Sequence, residues 1–595
     1  MDSALKINPG HILALINRGS ALHALKRFDD ALASHDRALA VRPDCAEAHY
    51  GRGNALHELR RLEEALASYD RALELRPDYV EALSNRGNVL HALKRFEEAL
   101  ASYDRALAVR PDDAEAFANR GVNLHEMGRF EEALASYERA LTLRPDHIEA
   151  LFNRGVTLNE SERFGEALAS YDRVLAVRPD DAEALSNRGV TLHELKRFGE
   201  ALASCDRALA LRPDYAEAHS NRGNALNALK RFGEALASYE RALTLRPDYV
   251  EALANRGITL HALKRFDEEL ASYQRALTLR PDYAKAHFNE GWCRMLTGDL
   301  VGGWEKHEWR WKSGQSNKKR DFAQPLWVGS NEIEGKTILL HAEQGLGDTI
   351  QFCRYVPRVV ERAARVILEV QRPLHELMST LPGEAQIVSR GEPPPDFDLH
   401  CPLLSLPLAF GTRLETIPAE TPYLRASPLA AMNWNDRLGP KNRPRIGLSW
   451  SGSPTHKNDH NRSIGLSALS PLLGFDATYV SLHRDIRPGD AAVLQGRNDF
   501  VHFGDELKDF SDTAALISNL DLVISVDTSV AHLAGALAKP VWVLLPFIPD
   551  WRWLLDREDS PCYSTARLFR QDDSRAWDGV IARVRAALHD YVRRF

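Results

Sequence analysis

Cysteine is scarce here, positive charge is not in excess, and long apolar runs are missing. The six cysteines, Cys45, Cys205, Cys293, Cys353, Cys401 and Cys562, stand far apart with no C-x-x-C pair. That spacing excludes the usual zinc sites and a disulfide framework, so buried thiols and no metal are expected. No stretch approaches the roughly 20 apolar residues that cross a bilayer, and the opening MDSALKINPG lacks the apolar core of a secretory signal, so a cytoplasmic location is expected. Net charge is −7 with 27% of residues charged and both signs mixed, which argues against a nucleic-acid partner. At 595 residues the chain exceeds what one core can hold, and two to four domains are expected.

What is present is a period. Pro9, Pro43, Pro77, Pro111, Pro145, Pro179, Pro213, Pro247 and Pro281 recur every 34 residues, and a glycine comb from Gly19 to Gly291 keeps the same step. The pattern resembles the tetratricopeptide repeat, two antiparallel helices per unit stacked into a right-handed superhelix. In one unit the first helix is predicted over Val80–Leu93 and the second from Glu97 to Val109, with Gly87 and Ala99 at the crossing and Tyr103, Leu90 and Leu107 as apolar bulk. Eight complete units and a divergent ninth are predicted. Ala4 aligns with the end of a second helix, so the chain is expected to begin mid-repeat, at a truncated start.

The sixth position of the unit is Asn17, Asn85, Asn119, Asn153, Asn187, Asn221, Asn255 and Asn289, with Gly51 the exception. An amide repeated once per unit can bond both N–H and C=O of an extended peptide, which makes Asn85, Asn119, Asn153, Asn187, Asn221 and Asn255 candidate partner-binding residues. The ladder resembles that of the nucleocytoplasmic O-GlcNAc transferases; the alternative is mere copying among near-identical units. The twelfth position carries His23, His57, His91, His125, His193 and His261. Adjacent helices lie roughly 8–10 Å apart, too far for successive rungs to share a zinc ion whose ligands sit about 2 Å away.

After the ninth unit, Trp304–Trp311 forms an aromatic face expected to dock on the next domain, and the polar Ser313–Arg320 reads as a linker. Short apolar runs alternating with helical stretches then predict an α/β region of two tandem parallel sheets. The expected domains are residues 1–312 repeats, 313–335 linker, 336–435 a first Rossmann-like lobe, and 436–595 a second, with the helix Trp577–Arg594 folding back across the pair.

Three strand ends carry chemistry. Gly345 and Gly347 permit close backbone approach and Asp348 opens a helix. Asp527-Thr528-Ser529 runs from a buried strand into a helix, an anion site suited to a diphosphate, although the same residue types are also good helix caps. The loop from Ser449 to Ser463 offers Lys457 and Arg462 to the same phosphates. Together these segments resemble the glycosyltransferase family 9 enzymes, the ADP-heptose:lipopolysaccharide heptosyltransferases, over about Lys336–Arg570, and more distantly O-GlcNAc transferase. Gly347-Asp348 matches the motif whose Asp is that family's proposed general base. Asp527, Thr528, Ser529 and His532 match its D-[TS]-G-x-x-H nucleotide-sugar motif, with Ser529 in place of the usual glycine, and Arg462 falls where the family carries a phosphate-binding lysine. Pro546-Phe547 and Asp550-Trp551-Arg552-Trp553 are similar to a bacterial class that joins this domain to tetratricopeptide repeats.

The resemblance implies a GT-B fold of two facing Rossmann-like lobes behind an all-α repeat array. It also implies sugar transfer from a nucleotide-diphosphate sugar to an acceptor hydroxyl, inverting and metal-independent, with no cofactor and with Asp348 as base. Glu343 and His456 are substitutes for that base. Asp396-Phe397-Asp398 spells a metal-binding D-x-D but flanks a predicted strand. The repeats would hold a protein or peptide partner. The rival is a non-catalytic scaffold whose α/β half is degenerate.

Overall fold

The structure, a computed structural model, describes residues 8–314, 319–329, 333–456, 458–494 and 497–595. The residues on which the mid-repeat start was expected lie mostly outside that range. The chain divides into two compact units, residues 1–247 and 248–595.

In the first unit each 34-residue period folds into a pair of antiparallel helices, such as Val80–Ala92 and Phe96–Val109. Pro111 comes next because a proline cannot continue the helix it ends. The crossing is set by glycine: a Cβ on Gly87 would lie 2.5 Å from the ring of Tyr103, which is 1% exposed. The same glycine-to-tyrosine fit recurs at Gly53, Gly121, Gly155 and Gly223. Two units vary it: Cys205 takes the tyrosine's place against Gly189, and His35 does so against Gly19. The turn between paired helices needs one left-handed residue, filled by Lys94 at φ 59° and Glu162 at φ 58°, and by glycine at Gly128. A ladder the periodicity did not announce ties each pair: Arg52, Arg86, Arg120, Arg154, Arg188 and Arg222 each donate to the serine sixteen residues on, Ser68 through Ser238.

The second unit begins with repeat helices and continues into the α/β region, so the compact division falls before the expected boundary at residue 312. The short final repeat helix Leu300–His307 explains this, because it is built to pack onward. Its Trp304 meets Phe352 and Trp551 edge-on at 6.0 and 5.1 Å. Behind it, fully buried Arg310 binds Glu343 at 3.0 Å, Glu308 at 2.6 Å and the Ser405 hydroxyl at 2.7 Å. Within the expected linker, part of which lies outside the described residues, residues 319–329 alternate between exposed and half-buried positions around buried Trp327. Trp327 is 1% exposed and its N–H donates to the His400 carbonyl, while Phe322 packs on Phe397, because this segment's aromatics cover the edge of the first sheet.

That sheet comprises β1 (Thr337–His341), β2 (Arg365–Val370), β3 (Ala385–Ser389) and β4 (Leu399–Pro402), parallel and ordered β3-β2-β1-β4. The second comprises β5 (Arg445–Ser449), β6 (Thr478–Ser481), β7 (Phe500–Val501), β8 (Leu522–Val526), β9 (Val541–Leu545) and β10 (Ala566–Arg570), parallel and ordered β10-β9-β8-β5-β6-β7. Both run through a continuous core, as sheets covered on both faces do. The last helix, Trp577–Arg593, does not cross the pair. Its stripe Val580, Ile581, Val584 and Leu588 finds its apolar partners on the second sheet, beside Leu469 and Leu472.

Candidate functional site

In an open parallel sheet the loops diverge where strand order reverses, and ligands settle at the carboxyl ends of the two strands flanking that point. Here the reversals fall between β1 and β4 and between β5 and β8. Helix α1 (Leu346–Phe352) leaves β1, and helix α2 (Ser529–Ala536) leaves β8. The two helix starts meet: a Cβ on Gly347 would lie 3.1 Å from the His532 ring and 3.4 Å from the Ser529 Cα. The carboxyl edges of the two sheets therefore face each other, and Gly347 is small because the other lobe comes this close.

The two helix starts differ in how their N–H groups are satisfied. At α1 the Asp348 carboxylate turns back to accept from the Gly345 N–H at 2.8 Å, so the acid is partly a cap. At α2 no side chain caps the helix. The Thr528 hydroxyl points inward, 3.2 Å from Ser525 Oγ and 3.5 Å from Ser449 Oγ. The first N–H groups of α2 are thus left to solvent or to an anion, at the positive end of a helix that begins at a strand reversal.

Arg462 borders that helix start. Its guanidinium covers Gly452, where a Cβ would lie 2.6 Å away, and donates to the Asp527 carbonyl at 3.0 Å. Its Nε is buried and has no partner among the described residues. Lys457, expected beside it, lies outside the described residues.

The residue that sequence reasoning misses is Arg552. It is 8% exposed, donates to Asp550 at 2.8 Å and to Gln351 at 2.5 Å, closes a short ion pair with Asp348, and rests on the Trp551 ring. Burial alone would lower its pKa, but the carboxylates of Asp550 and Asp348 outweigh that and raise it, so it stays charged. Each Asp348 oxygen therefore already holds one donor and keeps one lone pair for another. The only hint in the sequence is Arg552's place inside a charged aromatic motif.

Asp527 sits deeper, its pKa pushed up to about 6 by burial and then by the Asp550 carboxylate. His532 is 5% exposed, stacked on Trp553 and bonded through Nδ1 to the Tyr563 hydroxyl at 3.0 Å. Burial, then the charges of Arg552, Arg354 and Arg462, hold its pKa well below the usual histidine value. It is held neutral and packed here, with its ring against Gly347 and its Nε2 4.0 Å from the Asp527 carboxylate. Of the substitute bases, Glu343 is consumed by Arg310, with burial pushing its pKa up to about 7, and His456 is exposed on its loop. Asp398 of the D-x-D accepts from the Thr337 N–H at 2.8 Å and so fixes the start of β1.

In the repeats, the asparagine ladder splits. Asn85 donates to Asn54 Oδ1 at 2.9 Å, Asn221 to Ser186 Oγ at 3.0 Å, and Asn255 accepts from Lys285 at 3.4 Å. Asn119, Asn153 and Asn187 are half-buried and their amides hold no partner among the described residues. Gly51 interrupts the ladder because the His35 ring fills the space a Cβ would need. The histidine positions are structural: His91 and His125 pack on Phe96 and Phe130 of their own units and bond Asn123 and Thr157 of the next.

Tetratricopeptide-repeat profiles match residues 16–80, 78–146, 112–180, 160–216, 216–249 and 250–283. Glycosyltransferase family 9 (heptosyltransferase) matches residues 508–544, which carry β8, α2 and β9. The chain is 26% identical over 325 residues to protein FlbA of Caulobacter vibrioides, covering 50% of this chain and 54% of that one. It thus spans about half the length of the curated relative it matches. Among solved structures it is similar to YrrB, described as a TPR protein with an unusual peptide-binding site, at 29% identity over 33% of this chain and 97% of that one, TM-score 0.29. It is also similar to a tetratricopeptide repeat protein from Parabacteroides merdae, at 18% identity over 42% and 98%, TM-score 0.34. No helix among the described residues is long and apolar enough to cross a membrane.

Proposed function

We propose that this chain, which joins tetratricopeptide repeats to an α/β region carrying a glycosyltransferase family 9 match, transfers a sugar from a nucleotide-diphosphate donor to an acceptor hydroxyl. The observation that carries the reading is the meeting of two strand-to-helix turns at facing sheet edges, one of them uncapped. The donor diphosphate rests on the first N–H groups of α2, where Arg462 offers its buried Nε. Asp348 stands across the gap on the other lobe. It takes the acceptor's hydroxyl proton on its remaining lone pair as the oxygen attacks the anomeric carbon. The bond from that carbon to the diphosphate breaks, the electron pair leaves with the phosphate oxygen, and configuration inverts. Helix dipole and Arg462 stabilise the departing charge, with no metal or cofactor required by this scheme. The repeats hold a protein or peptide partner.

One observation favours the scaffold reading. The three carboxylates Asp348, Asp527 and Asp550 gather around the site, which opposes a diphosphate by charge repulsion. Transfer of labelled sugar from a panel of nucleotide sugars to lysate proteins, glycans and lipids separates the two. Under the transferase reading one donor labels one fraction, and Asp348→Asn abolishes labelling while donor binding survives. Labelling undiminished in Asp348→Asn removes Asp348 as base; labelling from no donor, with no nucleotide bound, leaves the scaffold.

A further inference from the structure

The split in the asparagine ladder coincides with a split in charge. Counting from the first residue of the first helix in each unit, the thirteenth position is Glu126, Glu160 and Glu194 in the three central units and Glu58 nearer the start of the array, but Ala24, Ala92, Ala228 and Ala262 in the other complete units. The three central units combine that carboxylate with an amide, Asn119, Asn153 or Asn187, that holds no partner among the described residues; Asn17 is likewise unengaged but its unit carries Ala24, and the unit of Glu58 has Gly51 in the amide's place.

Positions six, nine and thirteen lie on one stripe of a helix, because residues three and seven apart share a face. Half-buried Val122, Val156 and Val190 stand between amide and carboxylate. The bond from Asn85, sixth in its helix, to Asn54, ninth in the preceding first helix, shows that these stripes lie side by side in successive units. The carboxylates are exposed, with Glu160 at 52% and Glu194 at 50%, and their ion-pair neighbours are histidines: His125 at 3.7 Å from Glu160 and His193 at 3.6 Å from Glu194. None of the three meets a lysine or arginine among the described residues, whereas Glu98, Glu132, Glu166 and Glu200 each pair with an arginine of their own turn. The negative charge of the central stripe is thus uncompensated within the unit, and it sits beside three free backbone-type donor–acceptor groups.

We propose that the three central repeats bind an extended, basic peptide segment. This rests on the reading that the repeats hold a peptide and names its chemistry. The amides take the backbone, the valines take the side-chain stems of lysine or arginine, and the carboxylates take their heads. Neighbouring helices lie roughly 8–10 Å apart, and a chain in the extended polyproline-II form turns once in three residues with a rise of about 3.1 Å per residue, so a positive side chain every third residue faces successive rungs.

The test is fluorescence anisotropy on the full chain, with labelled twelve-residue peptides repeating lysine-serine-alanine, glutamine-serine-alanine or glutamate-serine-alanine. At low salt the lysine peptide binds about tenfold or more tighter than the glutamine peptide, and the glutamate peptide binds weakest. The triple variant Glu126→Lys, Glu160→Lys, Glu194→Lys inverts that order with the helical circular dichroism unchanged. The triple variant Asn119→Ala, Asn153→Ala, Asn187→Ala weakens all three peptides alike. Equal binding of the three peptides, or an order that survives the charge reversal, overturns the basic-segment inference. If the alanine variant still weakens binding in that case, the repeats hold peptides without regard to charge. Binding of none of the peptides overturns both.

Discussion

Arg552→Met tests how the two lobes are held together. The substitution keeps most of the side-chain length over Trp551 and removes the guanidinium's bonds to Asp348, Asp550 and Gln351, leaving the backbone donors to both aspartates. Breaking a fully buried ion pair costs about 3–5 kcal/mol, but each carboxylate here is 20% exposed and regains some hydration. A loss of about 2–3 kcal/mol is therefore expected, close to one or two hydrogen bonds to charged groups. All 11 tryptophans lie at or beyond Trp292, so tryptophan fluorescence in urea reports the second unit alone. Asp348→Asn keeps an acceptor for the Gly345 N–H and discards the charge, so the double variant with Arg552→Met isolates the ion pair. The cycle is expected to return a coupling of about 1–3 kcal/mol. Additivity within about 0.5 kcal/mol, or a single Arg552→Met that unfolds at the wild-type urea concentration, would refute the clamp.

Three further outcomes are expected from the geometry. Gly87→Ala places a Cβ 2.5 Å from the Tyr103 ring and is expected to cost about 1–3 kcal/mol in the first unit, read by circular dichroism because no tryptophan lies there. Glu162→Gly relieves a left-handed residue at φ 58° and is expected to stabilise the same unit by about 0.5–1 kcal/mol, with a lower melting temperature as the contrary result. Asp527 has a pKa raised to about 6, so its neutral form is the one the fold favours: its contribution is fully present below the unfolded value near 4 and is lost as pH rises through 6. The wild type should therefore lose stability relative to Asp527→Asn as the pH rises from 4 to 7. A difference that stays constant over that range would mean the carboxylate titrates normally.

The repeat half is legible because a glycine and a tyrosine that must fit each other recur at one interval, and the helices end within a residue or so of expectation. Strands buried on both faces, such as β1 and β8, announce themselves as apolar runs. β10 does not, since Ala566–Arg570 carries two arginines in five residues and lies at the edge of its sheet. Residues 319–329 read as linker because their burial depends on the edge of β4, which local composition cannot reveal. In the site, the strand-to-helix turns are readable from glycine, aspartate and threonine, but their partners are not. Arg552 meets Asp348 across 204 residues of chain, and His532 meets Trp553 and Tyr563 well along the chain from its own helix. Gly347 reads in the sequence as room for a ligand, whereas in the fold it is room for the other lobe.

The uncapped start of α2 is the hinge of the functional account, and calorimetry with UDP, ADP and GDP tests it most directly. The account predicts that at least one of them binds and that Arg462→Met weakens it about tenfold or more, as loss of a charge-assisted bond to phosphate should. Heat from none of the three at millimolar concentration, or binding that Arg462→Met leaves untouched, would contradict it.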